Sequence, residues 1–184
     1  MKPLVLYRSK TGYTEKYARQ LARELGCEAR EFRKDEGSWR EYDRVIYGGG
    51  LYAGGINGLK SFRKRMQAEA GKRYFLFAVG ATPGRPEEID AIRSHNLTAQ
   101  EAKTVPFFYL RGGFDYEKLS GADRLMMALM RKALAAKKTP GPDDQALLAA
   151  FGDPVDFTDY EGLNPIIRAV REGKNMQQDT VQYP

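Results

Sequence analysis

Five segments of strand length, most of them apolar and one (28–32) only weakly alternating, recur along the 184-residue chain, and helical patterns separate most of them. A parallel strand can follow another only through a crossover connection, which is usually a helix. Strands buried on both faces are continuous apolar runs, and "YFLFAV" is of this kind. The pattern therefore predicts an α/β fold in which helices cover both faces of a parallel sheet. The predicted strands are 4–7, 28–32, 43–47, 74–79 and 105–110.

Several helix ends carry recognisable signals. Gly26 follows an amphipathic stretch and predicts the end of a helix there. Pro86, with two glutamates after it, predicts the first turn of another helix. Asn164 and Pro165 predict the N-cap and first position of a last helix, which Gly173 would end. Together these helices and strands predict one domain over 1–184.

The stretch between the fifth strand and the last helix is longer than a crossover needs. We expect an inserted segment at about 112–158, with a helix at 120–137, and a polar C-terminal tail at 174–184. The apolar stripe of the inserted helix could pack in the core. Alternatively, its methionines and basic neighbours could form an exposed surface that suits an anionic membrane. The residues of this stripe are Leu125, Met126, Leu129, Met130, Ala133 and Leu134.

Composition narrows the classes of function. Cys27 is the only cysteine, which excludes an internal disulfide framework and a cysteine metal cluster. The net charge of +6 suits an anionic partner, but no nucleic-acid motif accompanies it, so we expect no nucleic acid. No apolar run is long enough to cross a bilayer, and we recognise no signal peptide. We therefore expect a cytoplasmic protein, with the inner face of the membrane as an alternative location.

The segment "YRSKTGYT" follows the first predicted strand and leads into a helix. Ser9, Thr11 and Thr14 supply hydroxyl donors, and Gly12 allows the chain to wrap closely around a ligand. A helix start also offers unpaired amides and the positive end of the helix dipole. The segment therefore predicts a phosphate cradle that needs no metal, with an ordinary helix cap as the alternative. It is not a Walker motif, because the glycine–lysine–serine ending is absent.

Two further segments follow central strands. The run from Gly48 to Ala53 formally matches the glycine fingerprint of dinucleotide folds, but the next helix begins only near Gly58. We instead expect the glycine backbone to lie against a flat ring on which Tyr52 stacks, with a flexible turn as the alternative. The segment from Gly80 to Gly84 is expected to form the opposite wall.

The order of residues in the first segment resembles the flavodoxin phosphate loop, a Thr/Ser-x-Thr-Gly-x-Thr pattern. The resemblance extends over nearly the whole chain. It implies a flavodoxin-like five-stranded parallel sheet of order 2-1-3-4-5, an extra helical segment after strand five, and FMN as the cofactor. The residues that it implies for FMN binding are Ser9, Lys10, Thr11, Gly12, Tyr13, Thr14, Gly48, Gly49, Gly50, Leu51, Tyr52, Ala53, Gly80, Ala81 and Thr82.

Within that family, "GGFDYEKLSGADRLMMALM" (112–130) resembles the long segment of bacterial flavodoxin-type protoporphyrinogen oxidases. Those enzymes pass electrons from a porphyrinogen to a quinone. Two functions stay open, an FMN-dependent electron carrier or small oxidoreductase and an oxidase of this kind. The implied partners are a redox protein, a quinone or a small-molecule substrate, and a peripheral membrane contact through 120–137. A non-redox binding module on the same scaffold is a third alternative.

Overall fold

The computed structural model describes residues 1–33, 38–69, 71–137 and 153–173, together with 139, 141, 145, 148 and 151. Its strands are β1 (Pro3–Arg8), β2 (Glu28–Glu31), β3 (Arg44–Tyr52), β4 (Gly55–Ile56), β5 (Arg73–Gly80), β6 (Phe107–Arg111), β7 (Gly113–Phe114) and β8 (Val155–Asp156). Its helices are α1 (Tyr13–Leu25), α2 (Leu59–Ala68), α3 (Pro86–Asn96), α4 (Ala99–Thr104), α5 (Gly121–Ala135) and α6 (Asn164–Glu172).

The main sheet has five parallel strands in the order β2-β1-β3-β5-β6. Short strand β4 pairs antiparallel with the end of β3. Numbered among the parallel strands alone, this order is 2-1-3-4-5, so the predicted α/β fold and strand order are confirmed. The order reverses between β1 and β3, which makes the carboxyl ends of these strands the natural ligand position.

Helices bury two separate cores against the two faces of the sheet. On one face, α1 and α6 pack on alternate residues of the central strands, such as Val5, Ile46 and Phe77. On the other face, α2, α3 and α4 pack against Leu4 and the intervening residues of the same strands. Burial on both faces explains why the central strands are continuous apolar runs.

The structure corrects the end of one predicted strand and the start of one predicted helix, and it adds a helix. Strand β3 continues to Tyr52 rather than ending before its glycines, because β1 and β5 pair with it on both sides. Helix α4 was not predicted, although Thr98 and Glu101 form a capping box at its start. Asn164 is the first residue of α6 rather than its N-cap, because the 3₁₀ turn Tyr160–Leu163 leads directly into the helix.

The inserted segment adds a small hairpin and a helix beside the sheet. Strands β7 and β8 pair antiparallel, and α5 lies between them in sequence. The stripe of α5 divides: Leu134 is buried, whereas Leu125 and Leu129 are 66% and 62% exposed. One end of the stripe is thus in the core, and the membrane-binding role expected for the exposed part stays a prediction. The predicted tail at 174–184 lies outside the described residues.

None of the helices in the described ranges has the length and apolar composition needed to cross a bilayer.

Replacement of Gly48 by alanine is expected to destabilise the protein. The new Cβ would overlap the ring of Phe77, which is fully buried in the neighbouring strand, and such overpacking costs about 1–3 kcal/mol. Gly121→Ala is the matched control, since its Cβ meets nothing within 4 Å. Urea unfolding measures both variants. Equal stabilities for G48A and the wild type would contradict the packing of β3 on β5.

Candidate cofactor site

Three neighbouring strands, β1, β3 and β5, end at the same edge of the sheet. The register of the ladder aligns Arg8 of β1 with Gly49 of β3. Open α/β sheets bind ligands beyond the carboxyl ends of their strands, where the strand order reverses. The three segments singled out in the sequence, 8–14, 48–57 and 80–85, include or follow these strand ends. The structure therefore brings them together.

The first segment folds back on itself ahead of α1. The Gly12 amide donates to Ser9 Oγ over 3.0 Å. Gly12 has a φ of 91°, a value that residues with a Cβ rarely adopt, and it caps the helix without a side-chain hydrogen bond. The first amides of an α-helix have no partner within the helix, and the helix dipole favours negative charge there. The segment therefore suits an anion at the start of α1.

Thr14 links the first segment to the end of β3. Its side chain is only 3% exposed. A Cβ on Gly50 would lie 3.3 Å from the Thr14 hydroxyl oxygen, a distance tighter than almost all real Cβ contacts. The lack of a side chain at Gly50 therefore leaves room beside this hydroxyl. These two predicted site residues are adjacent in the structure although they are distant in the sequence.

The glycines at the start of the second segment have a different role from the one expected. Gly48 and Gly49 lie within β3, where both neighbouring strands pair with them. A Cβ on Gly49 would lie 2.5 Å from Ile56 Cγ2, and one on Gly48 would overlap Phe77. Packing inside the protein thus accounts for both glycines. The ring contact predicted for residues 48–53 stays a prediction.

A strained turn follows β3, and hydrogen bonds from Asn96 of α3 stabilise it. Ala53 and Gly54 have φ values of 47° and 79° and connect β3 to β4. A positive φ is costly for Ala53, and such strain is often found at ligand sites. Asn96 donates to Gly54 O and accepts from the Ile56 amide, both over 2.8 Å. No local sequence pattern distinguished Asn96, because its partners lie about forty positions away.

Tyr109 of β6 fixes the third segment. Its hydroxyl lies 3.0 Å from Thr82 Oγ1 and donates to Thr82 O over 2.8 Å. A Cβ on Gly80 would lie 2.6 Å from the same hydroxyl and 2.9 Å from Leu51 Cδ1. Gly80 therefore allows β5 to end close to both residues. The sequence had predicted Tyr109 only as part of a core strand, which its burial also confirms.

The first segment contains two basic residues, and each of them donates hydrogen bonds to other groups of the protein. Arg8 Nη1 donates to the carbonyl oxygen of Phe32 over 2.9 Å. Lys10 Nζ donates to both carboxylate oxygens of Asp123, over 3.1 and 2.9 Å. The hydroxyls and amides of the segment are thus better placed than these cations to bind an anion.

Four residues form what we call the Asp123 cluster: Lys10, Tyr52, Asp123 and Met126. Lys10 Nζ lies 3.6 Å from the centroid of the Tyr52 ring, and the Tyr52 hydroxyl lies 3.6 Å from Met126 Sδ. The hydrogen bond with Asp123 raises the pKa of Tyr52. The hydrogen bonds with Tyr52 and Lys10 lower the pKa of Asp123. We call the three segments 8–14, 48–57 and 80–85 the cofactor segments. The cluster places the start of α5 beside the first two of them.

A second group of contacts ties the inserted segment to the first turn of α1. Tyr13 donates to the carbonyl oxygen of Val155 over 3.1 Å, and Lys16 forms a 2.6 Å ion pair with Asp156. Burial raises the pKa of Asp156, but hydrogen bonds from Lys16 and Thr158 outweigh it and lower this pKa to about 2. The inserted segment thus contacts the first cofactor segment on two sides.

A cavity of about 570 Å³ lies at the opposite end of the sheet, where the strands begin. Its lining among the described residues includes Lys72, Tyr74 and Thr104 and none of the predicted cofactor residues. Ligands of open parallel sheets bind at the carboxyl ends of the strands. We therefore assign the candidate site to the three segments rather than to this cavity.

The residues at the carboxyl edge fit the FMN that the sequence implied. Hydroxyls and helix amides can bind a phosphate group without a metal ion. Among the described residues, no group of three histidine, cysteine, aspartate or glutamate side chains is placed to hold a metal. Gly50 leaves open the space beside Thr14 that a side chain would crowd.

Comparison with known proteins found one family. A family model described as a flavodoxin domain matches residues 4–140, which is more than half of the chain. Similar solved structures include a flavoprotein in complex with FMN from Lactobacillus acidophilus NCFM, with 16% identity and a TM-score of 0.44 over 60% of this chain and 91% of that one. No curated protein sequence matches the chain.

Two other solved structures have similar scores. The Trp repressor binding protein from Bacillus subtilis shares 16% identity and has a TM-score of 0.44, covering 75% of this chain and 99% of its own. Oxidised flavodoxin 2 from Bacillus cereus shares 19% identity and has a TM-score of 0.42, covering 72% of this chain and 99% of its own.

Asp156 is expected to stabilise the protein in a pH-dependent way. Its pKa is lower in the folded than in the unfolded chain, so its contribution is complete above pH 4 and is lost as the pH falls through about 2. Asp156→Asn should therefore reduce the free energy of unfolding at pH 7 by about 1 kcal/mol, a figure that allows for solvent screening. The deficit should shrink towards pH 2. Exposed Asp90→Asn is the control, and a deficit that is constant with pH would contradict the ion pair.

Proposed function

This chain belongs to the flavodoxin domain family, and on that premise we propose that it is an FMN-dependent redox protein, an electron carrier or a small oxidoreductase. The observation that carries the proposal is the closeness of Thr14 and Gly50, where the hydroxyl at the start of α1 faces a position near the end of β3 that has no side chain. Flavin supplies the capacity to accept and donate electrons, which no side chain here provides. The protein's part is to bind, orient and shield it.

We assign a different part of FMN binding to each of the three segments. Ser9, Gly12 and Thr14 would hold the phosphate with hydroxyls and backbone amides, as the fold of the first segment suggests. Residues 51–53 and 80–82 would border the ring, since these segments approach each other where Leu51 would touch a Cβ on Gly80. Asn96 and Tyr109 fix the backbone of these two segments and so keep their geometry before the cofactor binds.

Purified protein should be yellow and should release FMN on denaturation. Thr14→Val keeps the shape of the side chain but removes the hydroxyl, and it should raise the Kd for FMN about tenfold, because a hydrogen bond to a charged group is lost. Titration of the apoprotein by flavin fluorescence measures the change.

Thr104→Val, on α4 at the far end of the sheet, is the matched control. Protein that is colourless and does not bind added FMN would overturn the proposal. An unchanged Kd in T14V would overturn the assigned phosphate site.

A second candidate is a quinone-dependent oxidase of a porphyrinogen. The exposed apolar residues Leu125 and Leu129 favour it, because they lie on α5 next to Met126 of the Asp123 cluster. Arg124 of the same helix, which carries a positive charge, is also exposed. We propose that this surface receives a large apolar substrate with carboxylates, or rests on the membrane that holds the quinone. Each pair of electrons and protons taken from the porphyrinogen would reduce one quinone to a quinol.

This candidate is tested by porphyrin formation from protoporphyrinogen with a quinone acceptor under anaerobic conditions. The double variant Leu125→Ser, Leu129→Ser should raise KM severalfold and leave FMN binding unchanged, because both side chains point to solvent. Binding to anionic vesicles should fall as well. A wild-type rate no higher than the spontaneous oxidation would exclude the oxidase and leave the electron-carrier function.

A further inference from the structure

A single buried carboxylate joins α5 to two of the three cofactor segments. Asp123 is 5% exposed, although it lies in the first turn of a helix that is otherwise mostly exposed. Both of its oxygens accept hydrogen bonds from Lys10, which belongs to the first segment. Tyr52, at the end of β3, reaches the same part of the helix, with its hydroxyl 3.6 Å from Met126 Sδ and its ring against Lys10. Side chains from two separate segments therefore meet at the start of α5.

Two other contacts within the Asp123 cluster also link the first two cofactor segments and α5. The ammonium of Lys10 lies 3.6 Å from the centroid of the Tyr52 ring, a distance at which cation–π attraction is strong. Met126, one turn along α5, lies within 3.6 Å of the Tyr52 hydroxyl. Lys10 and Tyr52 thus bind each other as well as α5, so the two cofactor segments and the helix form one connected unit.

Within the described part of the chain, α5 buries few of its own side chains. Of the 15 residues of this helix, only Asp123 and Leu134 are buried. They lie at opposite ends, and the exposed middle of the helix includes Leu125 and Leu129. A helix with few buried apolar contacts belongs to the least stable parts of a protein and can open locally. The Asp123 cluster therefore attaches the start of α5 to the cofactor segments, whereas the hydrogen bonds of Arg124 with Tyr116 and Glu117 stay within the inserted segment.

We propose that Asp123 is a positioning residue, which holds α5 as a cover across the cofactor segments, and that breaking its pair with Lys10 releases this cover. As far as it concerns FMN, the inference rests on the proposed function. The Lys10 side chain is 41% exposed, so solvent and salt weaken the pair. Such a pair is strong enough to bias the closed position and weak enough to open on the timescale of ligand exchange.

The matched pair of variants is Asp123→Asn and Asp115→Asn. Asp115 is also buried, lies in the same segment and pairs with Lys118 over 3.0 Å, but it has no contact with Lys10 or Tyr52. Trypsin can cut after Arg124 and Arg131 once α5 leaves its position, and mass spectrometry identifies those cuts. This readout works on the apoprotein and does not depend on activity.

D123N should be cut within α5 about fivefold faster than the wild type, and D115N at the wild-type rate. High salt should accelerate the cutting of the wild type but not of D123N. Lys10→Met, at an exposed position that folding tolerates, should match D123N, and the double variant should show no further increase. In the FMN-loaded protein, D123N and K10M should release the cofactor faster than D115N.

Equal cutting rates for D123N and D115N would overturn the proposal, and so would additive effects of the K10M and D123N substitutions. Failure of the wild type to bind FMN would instead overturn the proposed function. Cutting of the apoprotein would then still decide whether Asp123 holds the cover.

Discussion

Parallel pairing of β3 with β1 on one side and β5 on the other is the constraint on which the rest of the structure depends. It makes three strands end at one edge and so brings together segments that are far apart in the chain. It also demands the glycines of β3, since Gly48 faces the ring of Phe77 and Gly49 faces β4. Packing thus fixes the end of β3, and only beyond it does the chain become available to a ligand.

Residues at the start of α1 make two sets of contacts, one with the cradle and one with the inserted segment, and the residues of the two sets are interleaved in the sequence. Ser9, Gly12 and Thr14 turn towards the cradle and the end of β3. Lys10, Tyr13 and Lys16 turn towards the inserted segment. A helix places residues three and four apart on one face, so a single turn can make both sets of contacts. Neighbouring residues at the start of α1 therefore contact both the cradle and the inserted segment.

Sequence alone predicted what depends on local patterns. Strand-length patterns predicted the five parallel strands, whereas the phosphate cradle at Gly12 stays a prediction. Sequence patterns were insufficient where distant contacts decide: β3 continues through Gly48 because two neighbouring strands pair with it, and no local pattern linked Asp123 to a cofactor segment. Its partner Lys10 lies 113 positions away. Asn96 was likewise inconspicuous, because a turn on another strand determines its role.

The central claim is that FMN binds at the carboxyl edge of β1, β3 and β5. Titration of the isotopically labelled protein with FMN, followed by amide NMR, tests it most directly because each segment reports separately. The account predicts that the largest shifts occur at Gly12, Thr14 and Gly50 and in residues 51–53 and 80–82. Shifts confined to the cavity around Tyr74 and Thr104, at the opposite end of the sheet, would contradict it.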